Sequence, residues 1–553
     1  MTTTPRVHWW ISLALLSLGG LMAGIFWGPR RLLPVIPRPL QDQNVLRVAY
    51  TQDLLPDPNR RSFPITSQNQ FTLSLWEPLV ECDPATGQPQ PAVAQTWEWS
   101  ANRKMLTLKL RPDARWSNGD AVTAHDFVRG WLRLLRGPME VAQTLFPLRN
   151  AEAYHRGRIK DPEAVGLHAL DDQTLRLELD QVRSTLIAEL ADPLLAPLHE
   201  NNEQVLNDNS YFSNPARLVT NGPFQLSEAN ENGFRLKACE YYHGRSQVRL
   251  AGVQFIRVHN PSTATLLLAA GLVDLVSPTP WEEREMPTNR PMKRETELVL
   301  GVSSIDFNVT RGPLRDVRVR QALALALDRE GAIGKFDNGQ RVPAWSWIPS
   351  MPGRPGLTLL KEDATEARRL LAAAGYPGGK GFPILEMSLP LQAMWSDPYP
   401  ALWTERWFQE LGVRTHISYE PPTVRAKRMT ATGDYDVVDG FLIATVPDAG
   451  DLLSVFLWPA EYGGTKWSDK EYAGLLNAAG TRTGAERLAL LEKAERLVMA
   501  SVPSVPVLFV RRQAMLAAEV RGWYADPLAR QSLKRLWLEP SPGRIYSTPE
   551  QRL

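Results

Sequence analysis

From residue 45 to residue 510 the chain alternates short runs of period-two hydrophobicity with longer runs whose apolar residues recur every three or four positions. Strands and helices that take turns over several hundred residues bury their faces in α/β or α+β layers. At 553 residues the chain is longer than one ordinary domain. That length suggests about three or four modules, or two lobes that carry insertions. The 62 Lys and Arg nearly balance the 60 Asp and Glu, so whole-chain charge gives no support to a nucleic-acid surface. The 45 prolines form no collagen period or long tract, and they indicate many loops.

Strands are predicted over residues 45–50, 96–100, 105–110, 174–179, 233–239 and 505–510. A helix followed by an extended exit is predicted over 71–80, and a largely apolar helix with breaks over 186–196. Asn221-Gly222-Pro223 forces a bend before the strand that carries Phe224 and Leu226. Another strand ends at Asp306-Phe307-Asn308, and Gly312-Pro313 follows it. Asp316 then stands where an N-cap belongs, before a helix with Val319, Leu323 and Leu327 on one face. A helix over 365–374 stops at Gly375-Tyr376-Pro377, and an amphipathic one over 486–499 carries Glu492 and Arg496 at i, i+4.

Residues 9–27 carry no charge and are mostly apolar, with Arg6 before them and Arg30 and Arg31 after. At about 1.5 Å per residue such a run can span a bilayer core. It exceeds a usual secretory h-region, and no clear A-x-A cleavage site follows. We expect an N-terminal transmembrane helix acting as an uncleaved signal anchor over 1–31, then a Pro-rich linker over 32–44. A cleaved export signal is the alternative. The denser arginines beyond the run oppose an exported chain under the positive-inside rule. With no cysteine nearby, a lipoprotein anchor is removed.

The segment Trp116-Ser117-Asn118-Gly119-Asp120, followed by Thr123-Ala124-His125-Asp126-Phe127, combines a turn with a helix start. Phe127, Val128, Trp131 and Leu132 then form the buried face, opposite Arg129 and Arg133. The wording resembles the "WSDG-x-PVTA-x-DF" segment of the dipeptide- and oligopeptide-binding proteins of bacterial ABC importers, the family 5 extracytoplasmic solute-binding proteins. Collinear matches include "PAVAQTWEWS" from Pro91, "VTNGPFQL" from Val219, "RGPLRDVRVRQALALALDRE" from Arg311, "ARRLLAAAGYPGG" from Ala367 and "LEKAERLVMASVPSVPVLFV" ending at Val510.

The resemblance implies an α/β, two-lobed periplasmic binding protein fold of the class with an extra subdomain. Lobe I would take residues 45–70, 201–302 and 505–540, the subdomain 71–200, lobe II 303–504, and a tail 541–553. An extended peptide would lie between the lobes, bound through main-chain hydrogen bonds common to all peptides and delivered to ABC permease subunits in the membrane. The protein would be a periplasmic monomer without cofactor, metal or nucleic-acid partner. A membrane-tethered sensory or scaffold protein derived from this fold is the alternative.

The family's "GW-x-ADY-x-DP" strand and loop, whose aspartate receives the peptide's α-ammonium group, resembles residues 435–448 here. Ligand contact is therefore expected from Phe441, Leu442, Ile443, Ala444, Thr445 and Asp448, with Trp458 at the pocket rim. Thr445 occupies the aspartate's place, which turns a charge-assisted contact into a neutral one. Asp448 or Asp439 would compensate after a register shift. The blander account makes 441–444 a core strand and Asp448 the start of a turn. Trp345, Trp347, Trp403, Trp407 and Phe408 would be cleft walls or core.

No enzyme is expected. The chain lacks H-E-x-x-H, G-x-S-x-G and C-x-x-C, and Gly378-Gly379-Lys380-Gly381 lacks the spacing of a P-loop. His125 and Asp126 need only a capped helix to explain them, and Glu282 and Glu283 read as solvated surface. Cys82 and Cys239 are either two separate thiols or one disulfide.

Overall fold

The computed structural model describes residues 44–539 except 52–53, 60–64, 277–289, 337–340, 352–353, 392 and 458–463, together with the short strands Arg38–Pro39 and Tyr546–Ser547. The anchor expected over 1–31, Glu282, Glu283 and Trp458 lie outside the described residues. Among the described residues no helix is long and apolar enough to cross a membrane.

One 11-stranded mixed sheet runs through the molecule. Val45–Tyr50 lies inside it, between Leu275–Val276 and Gly252–Arg257, parallel to both. All six of its residues are buried, as its near-continuous apolar run requires. Arg47 is the exception in chemistry, and it pairs with the fully buried Asp274 at 3.0 Å. Gly233–Ala238 and Phe224–Asn230 extend this end of the sheet antiparallel, with the Asn-Gly-Pro bend before them as predicted. At the other end lie Val437–Ile443, Leu385–Pro390 and Thr415–Glu420, parallel to one another.

Two long antiparallel strands, Met292–Phe307 and Ser504–Ala517, join these ends. Each serves two hydrophobic cores. Leu46 to Val276 contribute to the first core, with Ala514 to Leu538 added from the C-terminal part. Leu300 to Phe509 supply the second, with Leu528. The ladder between the two strands breaks register between Leu298 and Val302, where the chain passes from one core to the other. Within that break the Leu300 N–H donates to Pro527 O at 2.7 Å, and the Leu300 carbonyl accepts from Ala444 N at 2.7 Å. Gly301 follows at a place where a Cβ would come within 2.7 Å of Leu442 O and 3.2 Å of a Val510 methyl. No larger residue fits there without moving a neighbouring strand.

A separate four-stranded antiparallel sheet, Ala94–Trp99, Met105–Leu110, Thr174–Glu178 and Leu167–Asp171, packs its inner face into the first core. Leu106, Leu108, Leu175 and Leu177 are fully buried there, each contributing about 1.5–3 kcal/mol of apolar burial. The helix Ala124–Leu135 covers this sheet. Its start is held by Asp126, which accepts Thr123 N–H at 2.9 Å, the Thr123 hydroxyl at 3.1 Å and Trp116 Nε1–H at 3.1 Å. Gly119 takes φ +95° in the preceding turn, a conformation suited to glycine. The buried face is Phe127, Trp131, Leu134 and Leu135, and Val128 and Leu132 are only partly covered.

The breaks expected in the apolar helix over 186–196 are present, while other expectations need correcting. Leu186–Glu189 is one turn, and Asp192 caps a new 3-10 turn at Pro193, which has no N–H to continue the first. The helix expected from residue 71 begins earlier, at Ile65, and ends at Leu75. Asp316 does cap its helix by accepting Arg318 N–H at 2.9 Å, but that helix ends at Leu325, so Leu327 is buried from the following loop. Cys82 and Cys239 are free thiols, which leaves the disulfide alternative without support.

Candidate functional site

Val437–Ile443 pairs along its length with the second half of Met292–Phe307, from Phe307 opposite Val437 to Gly301 opposite Ile443. On its other side it meets Leu385–Pro390 only at Val437 and Val438. From Asp439 to Ile443 one edge of this strand therefore has no strand partner among the described residues. Phe441 stands there 55 % exposed. Leu442 is partly buried against the second core, and Ile443 is also partly buried. Ala444 is buried. The segment is thus a strand whose apolar side chains are only half consumed by packing.

Thr445 does not face an open space with its hydroxyl. Its N–H and hydroxyl both bind Asp451, the hydroxyl at 3.0 Å, and Val446 N–H donates to the same carboxylate at 3.3 Å. Burial pushes the Asp451 carboxyl up, with the Thr445 N–H opposing and the charge of Glu189 adding to the rise. Asp448 caps the helix Ala449–Ser454 and pairs with Arg487 at 2.6 Å. Asp439 pairs with Arg425 at 2.5 Å. Burial raises the Asp439 carboxyl to about 6, with Arg425 opposing and Asp306 contributing. Both acids named as substitutes for the missing aspartate are thus engaged with arginines.

Asp451 escaped the reading of the sequence. Its signal was its place three residues after Asp448, in the first turn of a helix, where a carboxylate can reach back to free N–H groups. Trp347, Trp403 and Trp407 belong to the second core, with Trp407 Nε1–H donating to Leu323 O at 2.8 Å and Trp347 Nε1–H to Leu452 O at 2.8 Å. Trp345 is half-buried with its indole on Glu362, and Phe408 is exposed.

The loop after the strand touches the first core's side of the molecule. A methyl added at Gly87 would come within 3.1 Å of Pro447. Ser184 N–H donates to Gly480 O at 3.2 Å, and Asp451 and Asp448 help keep neighbouring Arg183 charged against burial, after Glu189. Pro447 also lines a pocket, partly open to solvent, whose other walls include Trp76, Glu77, Leu528, Arg530 and Lys534. Burial works against charge on Glu77, yet Lys534, His243 and Tyr242 overcome it and hold this carboxyl at about 2. Among the described residues no group of three His, Cys, Asp or Glu could hold a metal ion.

Comparison with known proteins places the chain. It is similar to the dipeptide-binding protein DppE of Bacillus subtilis, 26 % identical over 81 % of this chain and 83 % of that protein. It is 29 % identical to the probable deoxycholate-binding periplasmic protein YgiS of Escherichia coli, over 82 % of this chain and 86 % of that one. Among solved structures, the murein tripeptide binding protein MppA of Escherichia coli superposes with TM-score 0.75 at 22 % identity, over 90 % of this chain and 99 % of that one. The substrate-binding domain of an oligopeptide ABC transporter from Bacillus anthracis gives TM-score 0.72 at 26 % identity, over 89 % and 99 %. The model of the bacterial extracellular solute-binding proteins, family 5 Middle, matches residues 88–464. The chain belongs to the family 5 bacterial extracellular solute-binding proteins.

Proposed function

We propose that this protein is the extracytoplasmic receptor of a peptide ABC importer, which encloses an extended peptide between two lobes and hands it to membrane permease subunits. The observation that carries this reading is the edge at 439–443 that has no strand partner among the described residues, beside an exposed Phe441, in a strand whose following loop reaches Gly87 at Pro447. An extended guest can add to such an edge through main-chain bonds alone, without chemistry on its own bonds. Phe441, Leu442, Ile443, Ala444 and Thr445 are the proposed contacts, with Asp448 and Asp451 supporting the loop and Trp458 on the rim. The lobes follow the assignment 45–70, 201–302 and 505–540 against 303–504, with 71–200 as the extra subdomain. The N-terminal run 9–27 is the proposed tether to the inner membrane.

Native mass spectrometry of gently purified protein, followed by denaturing identification of what it retains, tests the reading. Intact peptides carried at one per chain are expected. Retention of a non-peptide amphiphile alone would overturn the peptide assignment, and recovery of a chemically altered ligand would overturn the receptor one.

A further inference from the structure

Three contacts join the proposed extra subdomain, 71–200, to the proposed lobe 303–504. Gly87 meets Pro447, where an added Cβ would come within 3.1 Å of the proline ring. Ser184 N–H donates to Gly480 O at 3.2 Å. That carbonyl ends the helix Lys470–Gly480, whose last turn has no basic residue of its own. The last carbonyls of a helix lack intrahelical donors and carry the negative end of its dipole. Here Arg487 donates to Ala479 O and Ser184 to Gly480 O, so one of the two donors arrives from the other body. The third contact is electrostatic. Arg183 Nε lies 2.7 Å from each carboxylate oxygen of Glu189. Burial works against the Arg183 charge, and Glu189, Asp451 and Asp448 together overcome it.

The subdomain brings Arg183 and Glu189 to this junction, and the lobe brings Asp448, Asp451 and Arg487. Arg487 is engaged with Asp448 at 2.6 Å. Arg183 is the cation that faces Asp451 from the opposite body, while Glu189 pushes on the same carboxylate with like charge. We infer that Arg183 and Ser184 form a clasp by which the extra subdomain holds the 303–504 lobe shut, with Glu189 as its built-in opposing charge. The clasp goes beyond the peptide-receptor reading. Every contact in it is made between the chain's own groups, so it acts before cargo arrives. Asp451 also binds Thr445 and Val446 just past the guest-facing strand, so closure and the presentation of that edge share one carboxylate. The Arg183 side chain keeps 44 % of its surface in solvent, which puts the clasp on the scale of a screened ion pair. Between two forms of similar free energy, a difference of that size moves the population.

The test uses the full chain with no ligand added, carrying one dye on each body at the exposed Arg158 and Lys470. Single-molecule energy transfer between the dyes reads the ratio of open to shut molecules. Arg183→Gln leaves Glu189 and Asp451 facing each other without the cation, and should raise that ratio about fivefold. Glu189→Gln removes the repulsion and frees Arg183 for Asp451, so the ratio should fall. A fold that had merely been loosened would shift the same way in both. Arg183→Lys keeps the charge and should stay near the wild type, and it decides the matter beside Arg183→Gln if Glu189→Gln fails to fold. Added salt should shrink the difference between Arg183→Gln and the wild type. An unchanged ratio in Arg183→Gln, or a shift in one direction in both glutamine variants, overturns the clasp. No ligand enters the measurement, so that failure leaves the peptide-receptor reading standing, and a protein that retains no peptide in the mass spectrometer leaves the clasp standing.

Discussion

Glu77 in the first core's cavity and Asp439 on the second core's free strand edge are both acids against which burial works, and they answer it in opposite ways. Glu77 is 4 % exposed and held at about 2 because Lys534, His243 and Tyr242 surround it. Asp439 keeps 34 % of its side-chain surface in solvent, yet it rises to about 6 because burial outweighs Arg425 and a backbone hydrogen bond, with the negative charges of Asp306 and Asp397 adding to the rise. The number of counter-charges decides the sign, more than depth does. A carboxylate locked as an ion fastens structure together. One that titrates near neutrality belongs to a surface left partly unfinished.

The sharpest way to break this contrast is to remove the cation from the first cluster. Lys534→Met leaves Glu77 buried without its main counter-charge, and urea unfolding should show a loss of about 3–5 kcal/mol. An unchanged midpoint would mean that the cluster fastens nothing. A smaller effect, visible as a change with pH, should come from Asp439. Its folded value of about 6 lies above the ordinary 3.8, so the folded protein binds the extra proton first. This group's destabilisation is complete above about pH 6 and is relieved as pH falls from 6 towards 4. Asp439→Asn should remove that gain, so that the variant's urea midpoint rises less than the wild type's between pH 6.5 and pH 5. Glu77 acts the other way. Its stabilisation is present above its ordinary 4.5 and is lost as pH falls from 4.5 towards 2. The smallest change should follow Thr445→Ala, which removes one hydroxyl from Asp451 and leaves the Thr445 and Val446 N–H groups in place. About 1 kcal/mol is expected by the same unfolding measurement, and a much larger loss would show that the hydroxyl holds the loop by more than its own bond.

What could be read in advance follows from how local each signal is. The turn and cap at Gly119 and Thr123, the Asp316 cap, the Asn-Gly-Pro bend and the Glu492–Arg496 pair at 2.7 Å were all visible, because each is settled within a few residues of chain. The collinear family wording anticipated the fold that the comparisons support. The breaks at 186–196 were legible too, since Asp192 and Pro193 mark where a new turn starts. The second core's tryptophans could not be sorted into wall or core by type, since their burial depends on partners such as Leu323 and Leu452, which lie 84 and 105 positions away.

Gly301 has a consequence for how the molecule can be altered. It stands in the register break where the chain leaves one core for the other, and a single methyl there would press at once on Leu442 O and on Val510. A side chain at Gly301 would therefore push at the same time on Val437–Ile443 and on Ser504–Ala517, so the two strands that flank it cannot be displaced one at a time from this position.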